Sequence, residues 1–263
     1  IEKTEEIIRT ANELAEFRDK VNTGLTYEGK VIKLGNDIDL SSVCGENVNG
    51  KKISWEPIGK GDMGFHGTFD GQYHIIDNLY INSTDDYQGL FSHIYRNATI
   101  TSVIIGENSS ITGNTCVGAI TGDIANASIL NCGNNASVTG YNTVGGIVGC
   151  ASINTNIIGT YNKGNIISKG SLAAGIIGRL GYASSTVLNN IVKYCYNSGN
   201  VTSEDQTASG ICAEGSDHTK IYNCYNIGTI TCKKETNSED THTRRNSRKA
   251  KVIWFNIIFL QSR

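Results

Sequence analysis

The sequence predicts an all-β protein: a single-stranded parallel β-solenoid with coils of about 28 residues, capped at its N-terminus by one α-helix. Two short sequence words recur together every 27–35 residues, which is typical of stacked repeats. The apolar runs inside each repeat are three to five residues long, as strands are, and lack the period of helices. The 263 residues also include 30 Gly and one Pro, and proline is excluded from stacked strands because it has no N–H to donate.

Residues 1–29 are predicted to contain the capping helix and its lead-in. Thr10–Glu13 has the pattern of a capping box, and apolar side chains follow at helical spacing until Gly24 ends the run. The first coil of a solenoid would otherwise expose unpaired backbone groups and core side chains, so we expect the helix to cover them. Residues 30–88 are predicted to form the first coils, with longer and less regular strands and with Trp55 in the core.

The regular coils span residues 89–232 and are defined by a first word of the type Gly146–Gly149, whose second letter is aliphatic. Three short strands and three turns are expected to fill each coil. The longest repeat carries about six extra residues, which we place within Leu180–Lys193 as a loop that leaves the coil. The aliphatic letters are predicted to form one inward ladder along the axis: Leu90, Ile120, Ile147, Ile176 and Ile211.

A second word follows each of the last four first words and predicts two further ladders. Its small residues should stack inside the coils: Cys132, Thr160, Cys195 and Cys224. Its asparagines should stack at a turn, where each side-chain amide can bond the next one: Asn134, Asn162, Asn197 and Asn226. Gly and Asn are expected to be frequent because left-handed turn positions recur in every coil.

Tyr161, Tyr196 and Tyr225 precede the asparagines at coil spacing and alternate with the inward small residues. They should therefore point outward as an aromatic stripe. Such a stripe can stack against sugar rings or against the side chains of a partner. The alternative is lateral packing that covers the turn.

Residues 233–263 break the pattern, since neither word recurs there and no Gly follows Gly228. One hypothesis is a frameshifted, truncated or otherwise non-native end, or a disordered one. The alternative is an authentic capping strand. At the other end, Ile1–Glu6 is charged and lacks an initiator Met and a secretory signal, so we interpret the chain as a fragment or a mature segment.

The composition argues against two classes of partner. The formal net charge is −2 and no basic stripe is present, so nucleic acid is not an expected partner. No apolar run approaches the roughly 18–20 residues that span a bilayer, so no membrane span is expected in this chain.

The eight cysteines include no C-x-x-C pair, which argues against a zinc site. Cys132, Cys195 and Cys224 are interpreted as buried small side chains, although Cys195 and Cys224 would face each other on neighbouring coils and could oxidise. His66 and His74 flank the turn dipeptide Asp70-Gly71, and we interpret that segment as structural.

No catalytic residue, metal site or cofactor is predicted. A glycosidase needs two carboxylates about 5–10 Å apart. In the regular coils, residues 117–232, no two acidic residues are spaced so that they would stack on neighbouring coils.

Three segments, Trp55–Gly59, Phe65–Leu79 and Gly89–Ser92, resemble the first coils of the GLUG-type right-handed β-helices of bacterial surface proteins. The same β-helix occurs in the N-terminal, non-catalytic part of IgA-specific metallopeptidases. The resemblance covers residues 5–232 and implies a right-handed helix in an extracellular or cell-surface protein. The chain departs from the motif at Ser92 and Ala213, where the second Gly of the first word is missing, and we expect the local turn geometry to differ there. The peptidases of this family carry a separate zinc domain with His-Glu-x-x-His, a motif that this chain does not contain.

The function that these observations favour is a non-enzymatic stalk or adhesion surface. Its ligand would be a host or matrix protein, a glycoprotein or a glycan. The alternatives are a carbohydrate-active β-helix enzyme of the lyase or hydrolase type and an accessory domain of a surface metallopeptidase.

Overall fold

The computed structural model describes residues 5–61, 64–181, 189–216 and 219–233. These residues form a parallel β-solenoid in which each coil hydrogen-bonds to the next, so the predicted fold class is confirmed. Five parallel sheets run along the axis, and we number them S1 to S5 in the order in which the chain crosses them within a coil. The right-handed sense stays a prediction, and the predictions for residues 234–263 fall outside the described residues.

The N-terminal part carries the helix and the first strands. Its elements are β1 (Glu5–Ile8), α1 (Ala11–Asn22), β2 (Val31–Leu34), β3 (Ile38–Asp39), a 3-10 turn (Leu40–Ser42) and the antiparallel hairpin of β4 (Gly45–Val48) and β5 (Lys51–Ile53). β1 pairs in parallel with β2 and forms the N-terminal edge of S1, a strand that the sequence pattern does not predict.

The later coils all follow one path through the sheets. The first has β6 (Thr68–Asp70) in S1, β7 (Ile75–Asp77) in S2, β8 (Tyr80–Asn82) in S3 and β9 (Phe91–Ile94) in S5. The second crosses S1 to S5 as β10 (Thr99–Thr101), β11 (Ile104–Ile105), β12 (Ser110–Thr112), β13 (Val117–Gly118) and β14 (Thr121–Ile124). The third does so as β15 (Ser128–Leu130), β16 (Gly133–Asn134), β17 (Ser137–Gly140), β18 (Val144–Gly145) and β19 (Val148–Ala151).

The remaining coils repeat this order. The fourth has β20 (Asn156–Ile158), β21 (Tyr161–Asn162), β22 (Ile166–Ser168), β23 (Leu172–Ala174) and β24 (Ile177–Leu180). The fifth has β25 (Asn190–Lys193), β26 (Tyr196–Asn197), β27 (Val201–Ser203), β28 (Thr207–Ser209) and β29 (Cys212–Gly215). The chain then re-enters S1, S2 and S3 as β30 (Thr219–Tyr222), β31 (Tyr225–Asn226) and β32 (Ile230–Cys232).

Each regular coil therefore has five strand segments, and the expectation of three is wrong. The bend between S1 and S2 takes a single residue in the left-handed conformation, so two short strands follow each other with almost no loop. The residues at this bend all have φ between 53° and 68°: Ser102, Asn131, Gly159, Tyr194 and Asn223. A two-residue strand after a one-residue bend leaves no alternation long enough to be recognised in the sequence.

Helix α1 covers the N-terminal end of the core, as predicted. Thr10 and Glu13 form the capping box, and Leu14, Phe17 and Val21 are buried. The Phe17 ring packs edge-on against Tyr27 at 4.9 Å. Trp55 is also buried, as predicted.

The glycines of the first word are required by close packing between coils and not by left-handed turns, which corrects the expectation from the sequence. None of Gly122, Gly149 and Gly178 has a positive φ. A Cβ on Gly122 would lie 2.3 Å from the Tyr87 carbonyl carbon, and one on Gly149 would lie 2.3 Å from that of Cys116. In each case backbone atoms of the preceding coil lie against the glycine.

The register places the extra residues of the longest repeat where they are predicted. Ala151 pairs with Leu180, and Asn156 pairs with Ile191. The chain therefore takes five steps from Ala151 to Asn156 but eleven steps over the matching stretch from Leu180 to Ile191, an excess of six residues. Residues 182–188 of this segment lie outside the described residues.

Candidate functional site

A buried asparagine ladder fixes the turn between S2 and S3. The Nδ2 group of Asn134 donates to Oδ1 of Asn162 at 2.8 Å, Asn162 donates to Asn197 at 2.7 Å, and Asn197 donates to Asn226 at 2.6 Å. Each Nδ2 group also donates to the backbone carbonyl two residues further on. The ladder satisfies amides that would otherwise be buried without partners, and it holds successive coils in register.

The two inward ladders lie in the core. The aliphatic one, Leu90, Ile120, Ile147, Ile176 and Ile211, is buried throughout. The column of small residues, Cys132, Thr160, Cys195 and Cys224, is buried as well. Within it the Thr160 hydroxyl donates to Sγ of Cys195 at 3.3 Å.

The cysteines of this column are free thiols. Burial raises the pKa of the Cys132 thiol to about 12. The side-chain contact with Cys195, followed by burial, raises the pKa of Cys224. The Cys132 thiol is therefore chemically quiet while the coils stay stacked, since the thiolate is the reactive form.

The disulfide joins two cysteines whose pairing was not predicted. Cys116 and Cys150 form a disulfide with a Cα–Cα distance of 5.2 Å. Cys116 precedes β13 in S4, and Cys150 lies in β19 of the following coil, so the bond joins neighbouring coils.

The outward stripe of tyrosines is present on S2. The rings of Tyr161 and Tyr196 stack at 5.4 Å with 13° between their planes, and those of Tyr196 and Tyr225 stack at 5.3 Å with 7°. All three are half-buried. The Tyr161 ring lies over Gly133, its register partner in the preceding coil, where a Cβ would lie 2.2 Å from Cζ of the ring. Burial also raises the pKa of Tyr161.

Two more tyrosines and two lysines extend the stripe. The Nζ atom of Lys163 lies 5.1 Å from the Tyr161 ring, and Nζ of Lys193 lies 5.5 Å from Tyr194 and 6.0 Å from Tyr222. Tyr194 is 57% exposed and contacts Tyr222 edge-on at 6.4 Å. We call Tyr161, Tyr194, Tyr196, Tyr222 and Tyr225, with Lys163 and Lys193, the tyrosine face.

Tyr194 and Tyr222 were not predicted as part of the stripe. The repeat alignment could have pointed to Tyr194, because it stands at the left-handed bend where other coils carry an asparagine, Asn131 or Asn223. A bulky aromatic side chain is unusual there.

The tyrosine face offers two kinds of contact. The stacked rings cover much of each other's faces, so Tyr161, Tyr196 and Tyr225 present mainly ring edges and hydroxyl groups. Tyr194 is more exposed and can offer a ring face for stacking. The lysine ammonium groups add hydrogen-bond donors beside the rings.

A second candidate site is concave and lies where the solenoid begins. A cleft of about 880 Å³ is bounded by the 54–61 segment on one side and by the chain leading into and out of β9 on the other. Its wall includes Trp55, Tyr87, Gln88, Ser92 and His93. We call it the N-terminal cleft.

Two pairs of polar side chains lie at the N-terminal cleft. Oγ of Ser92 lies 2.9 Å from Nδ1 of His93, and the His93 ring lies 4.7 Å from the Tyr87 ring. The Tyr95 hydroxyl donates to Oδ2 of Asp123 at 2.9 Å, and Asp123 is the register partner of His93.

The segment around His66, Asp70 and His74 is built as a turn. Oδ1 of Asp70 accepts the Gln72 N–H at 3.0 Å, and Nδ1 of His74 lies 3.1 Å from Oδ1 of Asp37. The hydrogen bond from the Ile75 N–H is the main cause that lowers the pKa of Asp37. Within the described residues, no three His, Cys, Asp or Glu side chains are grouped as metal ligands would be.

Helix α1 has twelve residues, and no helix of the described chain is long and apolar enough to cross a membrane.

Comparisons with known proteins support the fold. No family model matches the chain. Over 120 residues it is 32% identical to a protein of Evansella cellulosilytica described as a "Putative Gly-rich membrane protein", a match that covers 44% of this chain and 13% of that protein. The fold is similar to the crystal structure of a "putative immunoglobulin A1 protease" from Bacteroides ovatus, with a TM-score of 0.63 and 21% identity over 82% of this chain and 63% of that one.

The chain thus spans less than two thirds of the length of either protein. At 21% identity the structural likeness shows the fold alone. The predicted resemblance to the β-helix of IgA-specific peptidases is supported at that level, whereas membership of the GLUG family stays a prediction.

Proposed function

We propose that this chain is a non-enzymatic, extracellular part of a bacterial surface protein that serves as a stalk or adhesion surface and binds a glycan or glycoprotein through its tyrosine face. The observation that carries the proposal is the column of Tyr161, Tyr196 and Tyr225, stacked at 5.3–5.4 Å on the outside of S2. A rigid solenoid holds the three hydroxyl groups at a fixed repeat, which suits a partner with a repeating array of hydroxyl or amide groups.

The Cys116–Cys150 disulfide supports the proposed extracellular location. Disulfides form and persist in oxidising compartments and are rare in the cytosol. A surface or secreted protein is the class in which this bond would be retained.

Binding is best tested with substitutions that borrow residues from neighbouring coils. Ile104 occupies the S2 position one coil before Gly133, so Tyr161→Ile, Tyr196→Ile and Tyr225→Ile together should keep the strand pairing. Tyr194→Asn matches Asn131 and Asn223 at the same bend. The control is Tyr141→Ala, since Tyr141 is 63% exposed and lies in a turn between S3 and S4.

The purified chain is applied to arrays of glycans and extracellular-matrix proteins, and its ligand is then titrated against each variant. We expect binding that weakens at least tenfold in the triple variant and in Tyr194→Asn, and that is unchanged in Tyr141→Ala. Absence of any ligand above background, together with cleavage of a polysaccharide by the same sample, would favour the carbohydrate-active alternative.

A second candidate is an accessory domain of a surface metallopeptidase. The observation that favours it is the likeness in fold to a protein described as an immunoglobulin A1 protease. The complete reading frame decides this point: a His-Glu-x-x-His motif downstream supports the accessory role, and its absence from the whole frame contradicts it.

A further inference from the structure

The N-terminal cleft exists because S4 begins one coil later than S5. The first strand of S4 is β13, whereas S5 begins with β9. Gly122, in the S5 strand of the second coil, is covered by the backbone of Tyr87 from the first coil. The equivalent residue of the first coil is Ser92, and there the 54–58 segment runs directly to S5, with Ile58 bridging to Phe91. This position is therefore free to carry a side chain, and it faces the cleft.

The loss of the glycine at Ser92 thus has a structural cause. Close packing requires glycine at the matching positions Gly122 and Gly149, whereas here the chain carries a serine whose hydroxyl lies 2.9 Å from a histidine nitrogen. No change of turn geometry is involved, because Ser92 lies inside strand β9 and has no positive φ. The expectation of altered turn geometry at this residue is wrong.

The cleft wall holds polar side chains that are almost fully buried. Gln88, Ser92 and His93 are all more than nine-tenths buried and all line the cleft. Their amide, hydroxyl and imidazole groups can both donate and accept hydrogen bonds. Small-ligand sites typically place a few such groups in a concave wall with aromatic rings, and here Tyr87, 37% exposed, supplies a ring at the rim.

The charge of the cleft restricts what it can bind. Its described lining has three carboxylates, Glu56, Asp85 and Asp86, against one ammonium group, that of Lys60. Lys60 is paired with Glu56 at 3.2 Å. An anionic ligand would be repelled, whereas hydroxyl and amino donors would meet acceptors.

We infer that the N-terminal cleft is a second ligand site, which binds a short saccharide that is neutral or carries amino groups. The cleft volume of about 880 Å³ falls within the roughly 300–1,000 Å³ of small-ligand sites. Sugar hydroxyls both donate and accept, and so match the mixed amide, hydroxyl and imidazole groups of the wall, whereas a cationic peptide side chain only donates. This site is separate from the tyrosine face and does not depend on the proposed function.

Two substitutions test the site without threatening the fold. Asp85 is exposed and its carboxylate accepts no hydrogen bond from the described residues, so Asp85→Asn removes only charge. Tyr87 has a φ of 57°, which Asn tolerates, so Tyr87→Asn removes the rim ring while keeping the bend. Glu107→Gln, at an exposed site outside the cleft lining, is the matched control for the loss of one charge.

Calorimetric titrations use trisaccharides of glucose, N-acetylglucosamine, glucosamine and galacturonic acid, and a lysine tripeptide. We expect saturable binding of at least one of the first three sugars and none of the acidic one. Tyr87→Asn should weaken this binding at least tenfold, Asp85→Asn should weaken the glucosamine trimer severalfold, and Glu107→Gln should change neither. All of these titrations are repeated in the triple variant of the tyrosine face, so that sugar bound at that face does not contribute to the signal.

Three results would overturn the inference. They are the absence of saturable binding by every sugar, binding of the tripeptide alone, and equal sugar affinity in the wild type and Tyr87→Asn. Failure at this cleft would leave binding at the tyrosine face unaffected, so the two proposals are separable.

Discussion

The carbonyl carbon of Tyr87 lies where a side chain on Gly122, one coil further along the axis, would have to go: a Cβ there would come within 2.3 Å of it. The contact is between backbone and backbone, and so neither side can rotate away. The spacing between coils at S4 and S5 is therefore set by the absence of side chains at the second glycine of the first word.

Gly122→Ala should lower the free energy of unfolding by about 2 kcal/mol or more, because the added methyl group must move backbone atoms of a packed coil. Urea denaturation followed by circular dichroism measures the loss. Gly133→Ala is the control, since the atoms nearest to its Cβ belong to the Tyr161 side chain and not to backbone. Equal losses for the two variants would contradict this account.

Asn162→Ala should destabilise the protein by about 2–4 kcal/mol. It removes the donor to the buried Oδ1 of Asn197 and the side-chain acceptor of the Asn134 amide. Asn226→Ala, at the C-terminal end of the ladder, breaks only one link and should cost less. Thermal and urea unfolding of both variants give the comparison. A larger loss for Asn226→Ala would show that the ladder contributes little.

Reduction of Cys116–Cys150 should lower the free energy of unfolding by about 2–4 kcal/mol, since the bond closes a loop with a sequence separation of 34. The measurement is urea denaturation with and without a reductant. In the Cys116→Ala/Cys150→Ala variant the reductant should have no further effect. Alkylation of the unfolded, non-reduced chain should label six of the eight cysteines, and labelling of all eight would contradict the bond.

Alkaline pH should weaken the packing of the capping helix through Tyr27. Burial is the main cause that raises the pKa of its phenol from 10.0 to about 12, and the nearby Glu6 adds to it. The folded state therefore keeps a proton that the unfolded chain loses, so this contribution to stability is complete below pH 10 and is lost as the pH rises toward 12.

Tyr27→Phe should make the decline in stability between pH 10 and pH 12 shallower. Urea unfolding at several pH values across that window gives the slope. Tyr73→Phe, at a ring that is 62% exposed, should leave the slope unchanged. Identical slopes for wild type and Tyr27→Phe would rule out this contribution.

The repeating part of the fold could be predicted because its constraints recur. A buried side chain such as Ile147 or Asn162 occupies the same environment in every coil, so the same kind of residue returns at each period. The helix α1 was predictable for a different reason, since Thr10 and Glu13 form their capping hydrogen bonds locally.

The features that escaped prediction depend on departures from the repeat. The Cys116–Cys150 bond joins two positions at different points of the coil, so no repeat word contains both. The N-terminal cleft depends on the 54–58 segment, which joins S5 through the bridge of Ile58 to Phe91 and not through a strand. Ser92 was the one visible sign of it, and its meaning required knowing that Gly122 is covered by backbone.

The covalent link between neighbouring coils also matters under mechanical load. Hydrogen bonds between coils lie along the axis, so a pull on the two ends of the chain would peel the coils apart one after another. The Cys116–Cys150 bond would stop this peeling within its loop, and the residues of the loop could not be pulled out. The stretched chain would therefore be about 110–120 Å shorter. In a protein that tethers a cell against flow, the oxidised chain would therefore form a shorter and stiffer tether than the reduced chain.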